Sequence, residues 1–319
     1  INLTGGEIFM RKDIFDVLDL FKNKGYSCGY LTTNGTIIDD ERADALAALA
    51  KSGFLKHVSV SVDGPKDIHD DARGAKGTFE RTAAGLRRLQ KAVARSGGTR
   101  LPISINTTVT EEGLDALDEM VDVAQELGVD AIGLNHLMYS TPEEVDETLR
   151  LVGESDPALI QTYVTPNPGL PPESVRQRVS SLAQKCQESN IRFGARPQIS
   201  DAVLDDYYEP GGRVEGRCLY PFLNARVSFS GKMYFCPMIR IEVGDLTTNT
   251  MEEIWNGDRY VELRRRLLDN TLFPVCQRCC KVELSTERVT QPDSLAATGG
   301  LTDPVAGEGA VGQSATSHP

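Results

Sequence analysis

Between Ile1 and Met138, short apolar runs alternate with stretches of helical periodicity, and no other feature constrains the fold as much. The runs "INLT", "CGYLTTNG", "LKHVSVSVDG", "LPISINTTVT" and "VDAIGLNHLM" have the length and residue types of strands. Helical faces lie between them: Ile14, Val17, Leu18 and Phe21 before a stop at Gly25, then Phe79, Leu86, Leu89 and Val93, then Leu114, Leu117, Val121, Ala124 and Leu127. Strands separated by helices pair in parallel through crossovers. Such sheets carry their chemistry where strands end and loops begin. Five strands are expected, the first entered at its end. The chain opens at Ile1 without an initiator methionine, so the natural protein is expected to extend upstream. One more strand and helix there would make six βα units.

The rest of the chain divides by composition. "STPEE" predicts a capping box with Thr141 as N-cap, Pro142 at N1 and Glu144 at N3. A Pro-rich stretch then leads to a helix containing Val175, Val179, Leu182 and Cys186. The expected domains are a core over 1–200, a polar Gly-rich linker over 201–217, a second unit over 218–287 and a disordered tail over 288–319. The formal net charge of −12 opposes contact with phosphate backbones, so no nucleic-acid partner is expected. "ELRRRLLD" around Arg264, flanked by acids, reads as a solvated helix face. No apolar run approaches the roughly 18 residues of a membrane span. Seven cysteines without a signal peptide fit a reducing, cytoplasmic setting.

Three consecutive strand ends carry polar residues. "LTGGE" ends in Gly5, Gly6 and Glu7, where backbone is open to a ligand and a carboxylate can accept from an ammonium group. "TTNGT" holds Thr33 and Asn34, and turn chemistry alone also explains Asn34–Gly35. "SVSVDG" sets Ser61 and Asp63 on one side of a strand by period-two alternation. "HDDARG" follows with the fixed charge of Arg73, and with His69, which reads as a loop residue rather than a general base.

Cys28, in a strand, and Cys186, on an apolar helix face, read as buried small hydrophobes. The other five cysteines belong together. "FLNARVSFSGKMYFC" reads as a hairpin turning at Ser230–Gly231, which brings Cys218 and Cys236 to one end of a ribbon. Cys276-x-x-Cys279 is a local ligand pair. Four thiolates suit tetrahedral zinc or a four-iron cluster, and the spacing leaves both open.

The series "LTGGE … LTTNGT … VSVSVDGPKDIHDDARGAKGTFERT" resembles the core of the radical S-adenosylmethionine (radical SAM) enzymes. The segment from Cys218 to Cys279, with "GDLTTNTMEEIWNGDRYVELRRRL" inside it, resembles their SPASM/twitch auxiliary-cluster extension, and the resemblance covers about 1–284. It implies a partial (βα)6 TIM-like barrel missing its first βα unit, with a small hairpin and helix extension. It also implies an enzyme that generates a 5'-deoxyadenosyl radical for hydrogen abstraction, in peptide maturation or alcohol oxidation. Gly5, Gly6 and Glu7 would bind the amino group of SAM. Thr33, Asn34, Ser61, Asp63 and Arg73 would lie near its carboxylate or ribose, with Asn106 and His136 facing substrate or adenosine. Cys218, Cys236, Cys276 and Cys279 would hold one auxiliary 4Fe-4S cluster, with Cys280 spare or replacing Cys279. The implied partners are a peptide or small-molecule substrate and an electron donor such as flavodoxin or ferredoxin.

Two positions depart from the family pattern. Ile8 stands where a proline usually follows Gly-Gly-Glu. The C-x-x-x-C-x-x-C motif that binds the SAM-cleaving cluster is absent from this sequence, so the chain alone is expected to be inactive, with that motif on an upstream segment; the alternative is a degenerate homologue that never carried the cluster. A rival reading is a non-catalytic binding protein with a zinc-stabilised C-terminal module.

Overall fold

A computed structural model of the chain describes residues 1–97, 100–209, 212–268 and 272–285. The tail expected over 288–319 lies outside the described residues.

Six parallel strands form the main sheet in chain order: β1 (Asn2–Leu3), β2 (Tyr30–Thr33), β3 (Val58–Ser61), β4 (Ile103–Thr108), β5 (Ala131–Asn135) and β6 (Arg192–Arg196). Among the described residues no pairing joins β1 to β6, so the sheet is open, a partial barrel rather than a closed one. Five of these strands are the expected ones. The sixth, β6, is one the sequence reading did not anticipate. Sequence pattern passes over it because only Phe193 and Ala195 are apolar, and both turn toward the helices.

Alternation sorts each strand into two faces. Leu31, Val58, Val60, Ile105, Ile132 and Leu134 are buried beneath the helices α1 (Ile14–Asn23), α2 (Asp40–Lys51), α3 (Lys66–Ala72), α4 (Thr78–Arg95) and α5 (Met120–Leu127). The other face is small and polar: Thr32, Ser59 and Ser104 share one row by register, and Ser61, Asn106, Gly133 and Gly194 the next. A filled barrel interior is dominated by bulky branched residues. This face leaves room for a ligand instead.

Beyond β5, α6 (Pro142–Val152) begins with the expected capping box: Thr141 Oγ1 accepts from Glu144 N–H and Glu144 Oε2 accepts from Thr141 N–H. Helix α7 (Pro172–Glu188) returns to the sheet. The segment expected as a linker instead carries α8 (Asp201–Tyr208), whose Val203, Leu204, Tyr207 and Tyr208 are buried in the first core. Its two tyrosines supply apolar area that a polar average over 201–217 hides.

A second core gathers residues of 218–284 together with Val145, Leu149, Val152 and Ile160. Its scaffold is a three-stranded antiparallel sheet of β7 (Arg226–Val227), β8 (Lys232–Tyr234) and β9 (Glu242–Asp245). The hairpin turns at Gly231, φ +82°, as expected. In "ELRRRLLD" Arg265 is exposed as expected, but Arg264 and Arg266 pack on aromatics rather than standing in solvent. Arg264 lies 4.4 Å from the Tyr260 ring centre and Arg266 5.3 Å from that of Phe273, so stem and cation contacts offset lost hydration.

Candidate functional site

The first candidate site occupies the C-terminal ends of β1 to β3. Gly5 and Gly6 are exposed, with open space where a β-carbon would stand, and Gly5 adopts φ +150°. Glu7 then turns back onto β2. Its Oε1 accepts from the Thr33 hydroxyl at 2.9 Å and Phe9 N–H at 3.2 Å, and its Oε2 from Asn34 N–H at 2.7 Å. A carboxylate offers about four acceptor positions, so one remains for a cationic donor. The Asn34 side chain closes an Asx turn on Thr36, accepting from its N–H at 2.9 Å and hydroxyl at 2.7 Å. The β2 loop is held from behind by α4, where Thr82 donates to the Asn34 carbonyl at 2.9 Å. Gly85 permits that approach, since a β-carbon there would meet the Gly35 carbonyl at 2.1 Å.

At the end of β3, Asp63 pairs with Arg73 at 2.7 Å. Arg73 is therefore already committed to a carboxylate of this chain. His69 is a buried residue of α3 rather than a loop residue, and its Nδ1 accepts from Asp63 N–H at 3.1 Å. Burial, the largest influence, lowers its pKa, so the ring is neutral and its 3.7 Å approach to the Asp63 carboxylate is not an ion pair. With Nδ1 accepting, the ring proton sits on Nε2, which is buried without a partner. Asp70 caps α4, accepting from Gly77 and Phe79 N–H at 2.6 and 2.8 Å. Segment 69–74 thus braces the β3 end.

Ser61 and Asn106 stand side by side on the open face, and Gly133 on β5 leaves room for the Asn106 amide, 2.9 Å from where a β-carbon would lie. His136 is elsewhere. It is buried, its Nδ1 is 2.8 Å from the Tyr208 hydroxyl, and burial lowers its pKa to about 4. It packs against α8 rather than facing the open side.

The second candidate site is the thiol group. Cys218, Cys236, Cys276 and Cys279 are all buried and none is in a disulfide. Cys276 feels the charges of Cys236 and Cys218, Cys236 that of Cys218, and Cys279 that of Cys276. Burial pushes Cys236 up to about 12 and Cys276 well above the usual thiol range. Four such thiols ionise only against a compensating cationic centre, because a coordinated metal inverts the local pKa order. Among the described residues no three Cys, His, Asp or Glu side chains close around one ion-sized point. Four thiols can serve either tetrahedral zinc or a four-iron cluster, and this geometry does not choose between them. Ile239 N–H reaches Cys236 Sγ at 3.2 Å, a donor suited to a charged sulfur. Cys280 is half-buried. A hydrogen bond from Cys279 raises that thiol and lowers Cys280 to about 6, and Lys281 and Arg196 also favour the Cys280 thiolate.

Arg278, inside the Cys276-x-x-Cys279 turn, carries no signal in the sequence reading. It is 1% exposed and fully committed: Nε donates to the Tyr207 carbonyl at 2.9 Å, Nη1 to Glu144 Oε1 at 2.8 Å and Nη2 to the Gly212 carbonyl at 2.7 Å. Its guanidinium lies 4.5 Å from the Tyr139 ring centre. One side chain thus clamps the thiol turn to α6 and α8. Only an arginine set between two cysteines hints at it, since buried arginine requires partners.

Comparison with known proteins matches this geometry. Residues 1–103 match the family described as the radical SAM superfamily, and residues 218–280 match SPASM, an iron–sulfur cluster-binding domain. An AdoMet-dependent heme synthase of Methanosarcina barkeri is 29% identical over 272 residues, 84% of this chain and 70% of that protein. One of Nitratidesulfovibrio vulgaris is 31% identical over 263 residues, 82% of this chain and 66% of that protein. The crystal structure of Streptococcus suis SuiB has the same fold, with a TM-score of 0.57 at 12% identity, over 87% of this chain and 61% of SuiB. The chain thus spans about two thirds of the length of these relatives. It belongs to the radical SAM superfamily and carries that superfamily's SPASM cluster-binding domain.

Proposed function

We propose that this chain forms the SAM- and substrate-binding part of a radical SAM enzyme, acting with a C-x-x-x-C-x-x-C segment that its sequence does not contain. SAM, when bound and reductively cleaved, supplies a deoxyadenosyl radical that removes a substrate hydrogen atom. In this reading Glu7 accepts from the SAM ammonium through its remaining acceptor position, beside the bare backbone of Gly5 and Gly6. Ser61 and Asn106 line the ligand chamber, with Thr33 and Asn34 shaping its rim. Asp63 takes part through its pair with Arg73, which orients it toward the ribose. Cys218, Cys236, Cys276 and Cys279 hold an auxiliary 4Fe-4S cluster that accepts or relays an electron, and a flavodoxin or ferredoxin supplies the reducing electron.

One observation carries the proposal: the same chain presents an open, small and polar sheet face and a buried set of four thiols. Two AdoMet-dependent heme synthases match over more than four fifths of the chain, which favours a tetrapyrrole side chain as the substrate. A peptide substrate is the second reading, supported by SuiB, which is known in complex with the precursor peptide SuiA. Anaerobic reconstitution tests the cluster. About four irons per chain with visible charge-transfer absorption support it. One zinc per chain without that absorption would return the protein to a non-catalytic binding role.

A further inference from the structure

Two arginines on the open face have no ion-pair partner among the described residues. Arg192 and Arg196 open and close β6, and register places Arg192 beside Ala131 and Arg196 beside Asn135, so both project from the polar side of the sheet. Both are exposed, and among the described residues neither has a carboxylate within ion-pair distance. Arg73, beyond the end of β3, contrasts with them because Asp63 already neutralises it.

The space between them is vacant. Gly194 sits midway, and a β-carbon there would meet nothing within 4 Å. Gly133 alongside it adds no side chain. Four residues of strand set the two arginines about 13 Å apart at the backbone. None of the strand residues on this face is acidic, although the chain as a whole carries a net charge of −12. His57, just before β3, is driven toward its neutral form by burial first and then by the charges of Arg192 and Arg196. A positive surface kept unpaired inside an acidic protein selects an anion. The fork of arginine matches carboxylate in particular.

We propose that Arg192 and Arg196 bind two carboxylates of the substrate, holding a polycarboxylated tetrapyrrole across the open face. This rests on the radical SAM reading and adds to it the anionic class of the substrate.

The test is equilibrium binding of coproporphyrin III and of its uncharged tetramethyl ester to the reconstituted chain, followed through the porphyrin absorption band. The free acid is expected to bind, and the ester at least ten-fold more weakly. Arg192→Gln and Arg196→Gln should each weaken binding of the acid about ten-fold, with Arg196→Lys recovering part of the loss. Iron content and melting temperature check that each variant is folded. SAM affinity, measured separately, reports on the underlying radical SAM reading, which stands if SAM binds whatever the porphyrin does. Failure of the wild-type chain to bind the acid, equal binding of acid and ester, or unchanged binding by both glutamine variants would overturn the proposal. Loss of SAM affinity with porphyrin binding intact would reassign the pair to the methionyl carboxylate and overturn it as well.

Discussion

The two cores of this protein are stabilised differently. The first has long helices laid over a six-stranded parallel sheet, and its interior is one apolar cluster running from Phe9 to Val214. The second has strands of two to four residues, and its buried set includes four thiols and sits beside the buried guanidinium of Arg278. Apolar burial suffices for the first without any bound group. The second resembles small metal-dependent modules, whose ordering free energy comes largely from ligand coordination. The barrel region therefore presents a preformed chamber, while the thiol region is expected to depend on its cluster and on one ionic clamp.

Four experiments would break or sharpen that contrast. Cys236→Ala has the largest expected effect: cluster absorption is lost, and hydrogen-exchange protection collapses around β7 to β9 while β2 to β5 keep theirs. Equal loss in both regions would refute the contrast. Arg278→Met is next. It leaves the partly buried Glu144 carboxylate and two backbone carbonyls without their donor, at a cost of about 2–3 kcal/mol, read as a lowered urea midpoint. A change below 1 kcal/mol would remove the clamp from the account.

The third tests the first core through pH. His136 has its pKa lowered to about 4 in the folded chain by burial, against an ordinary histidine value near 6.5. The unfolded chain then binds the extra proton between those values. Stability is therefore full above about pH 6.5 and falls as pH drops toward 4, by up to about 3 kcal/mol. His136→Phe should flatten that slope in a urea-midpoint profile, and an unchanged slope would assign it to other groups. The smallest effects are at helix caps. Thr141→Ala at α6 and Asp39→Ala at α2, where Asp39 accepts from Arg42 N–H, should each cost about 1 kcal/mol. Only the first should also speed loss of the cluster to chelators, because Glu144 of the same capping box holds Arg278.

Much of this was legible locally. Strand and helix alternation fixed β1 to β5, the Thr141 capping box and the Gly231 hairpin, because periodicity and turn chemistry act over a few residues. The cysteine pairs were visible for the same reason. The committed state of Glu7 and Arg73, the burial of His136 against Tyr208, the sixth strand and the Arg278 clamp were not. Each depends on a partner far along the chain, as with Glu144 and Arg278, 134 residues apart. Side-chain type and spacing thus determined which chemistry the chain can carry. Only tertiary packing decided which polar groups are already satisfied and which, like Arg192 and Arg196, are left facing open space, since a hydrogen bond or ion pair is a property of two positions and sequence pattern reports them one at a time.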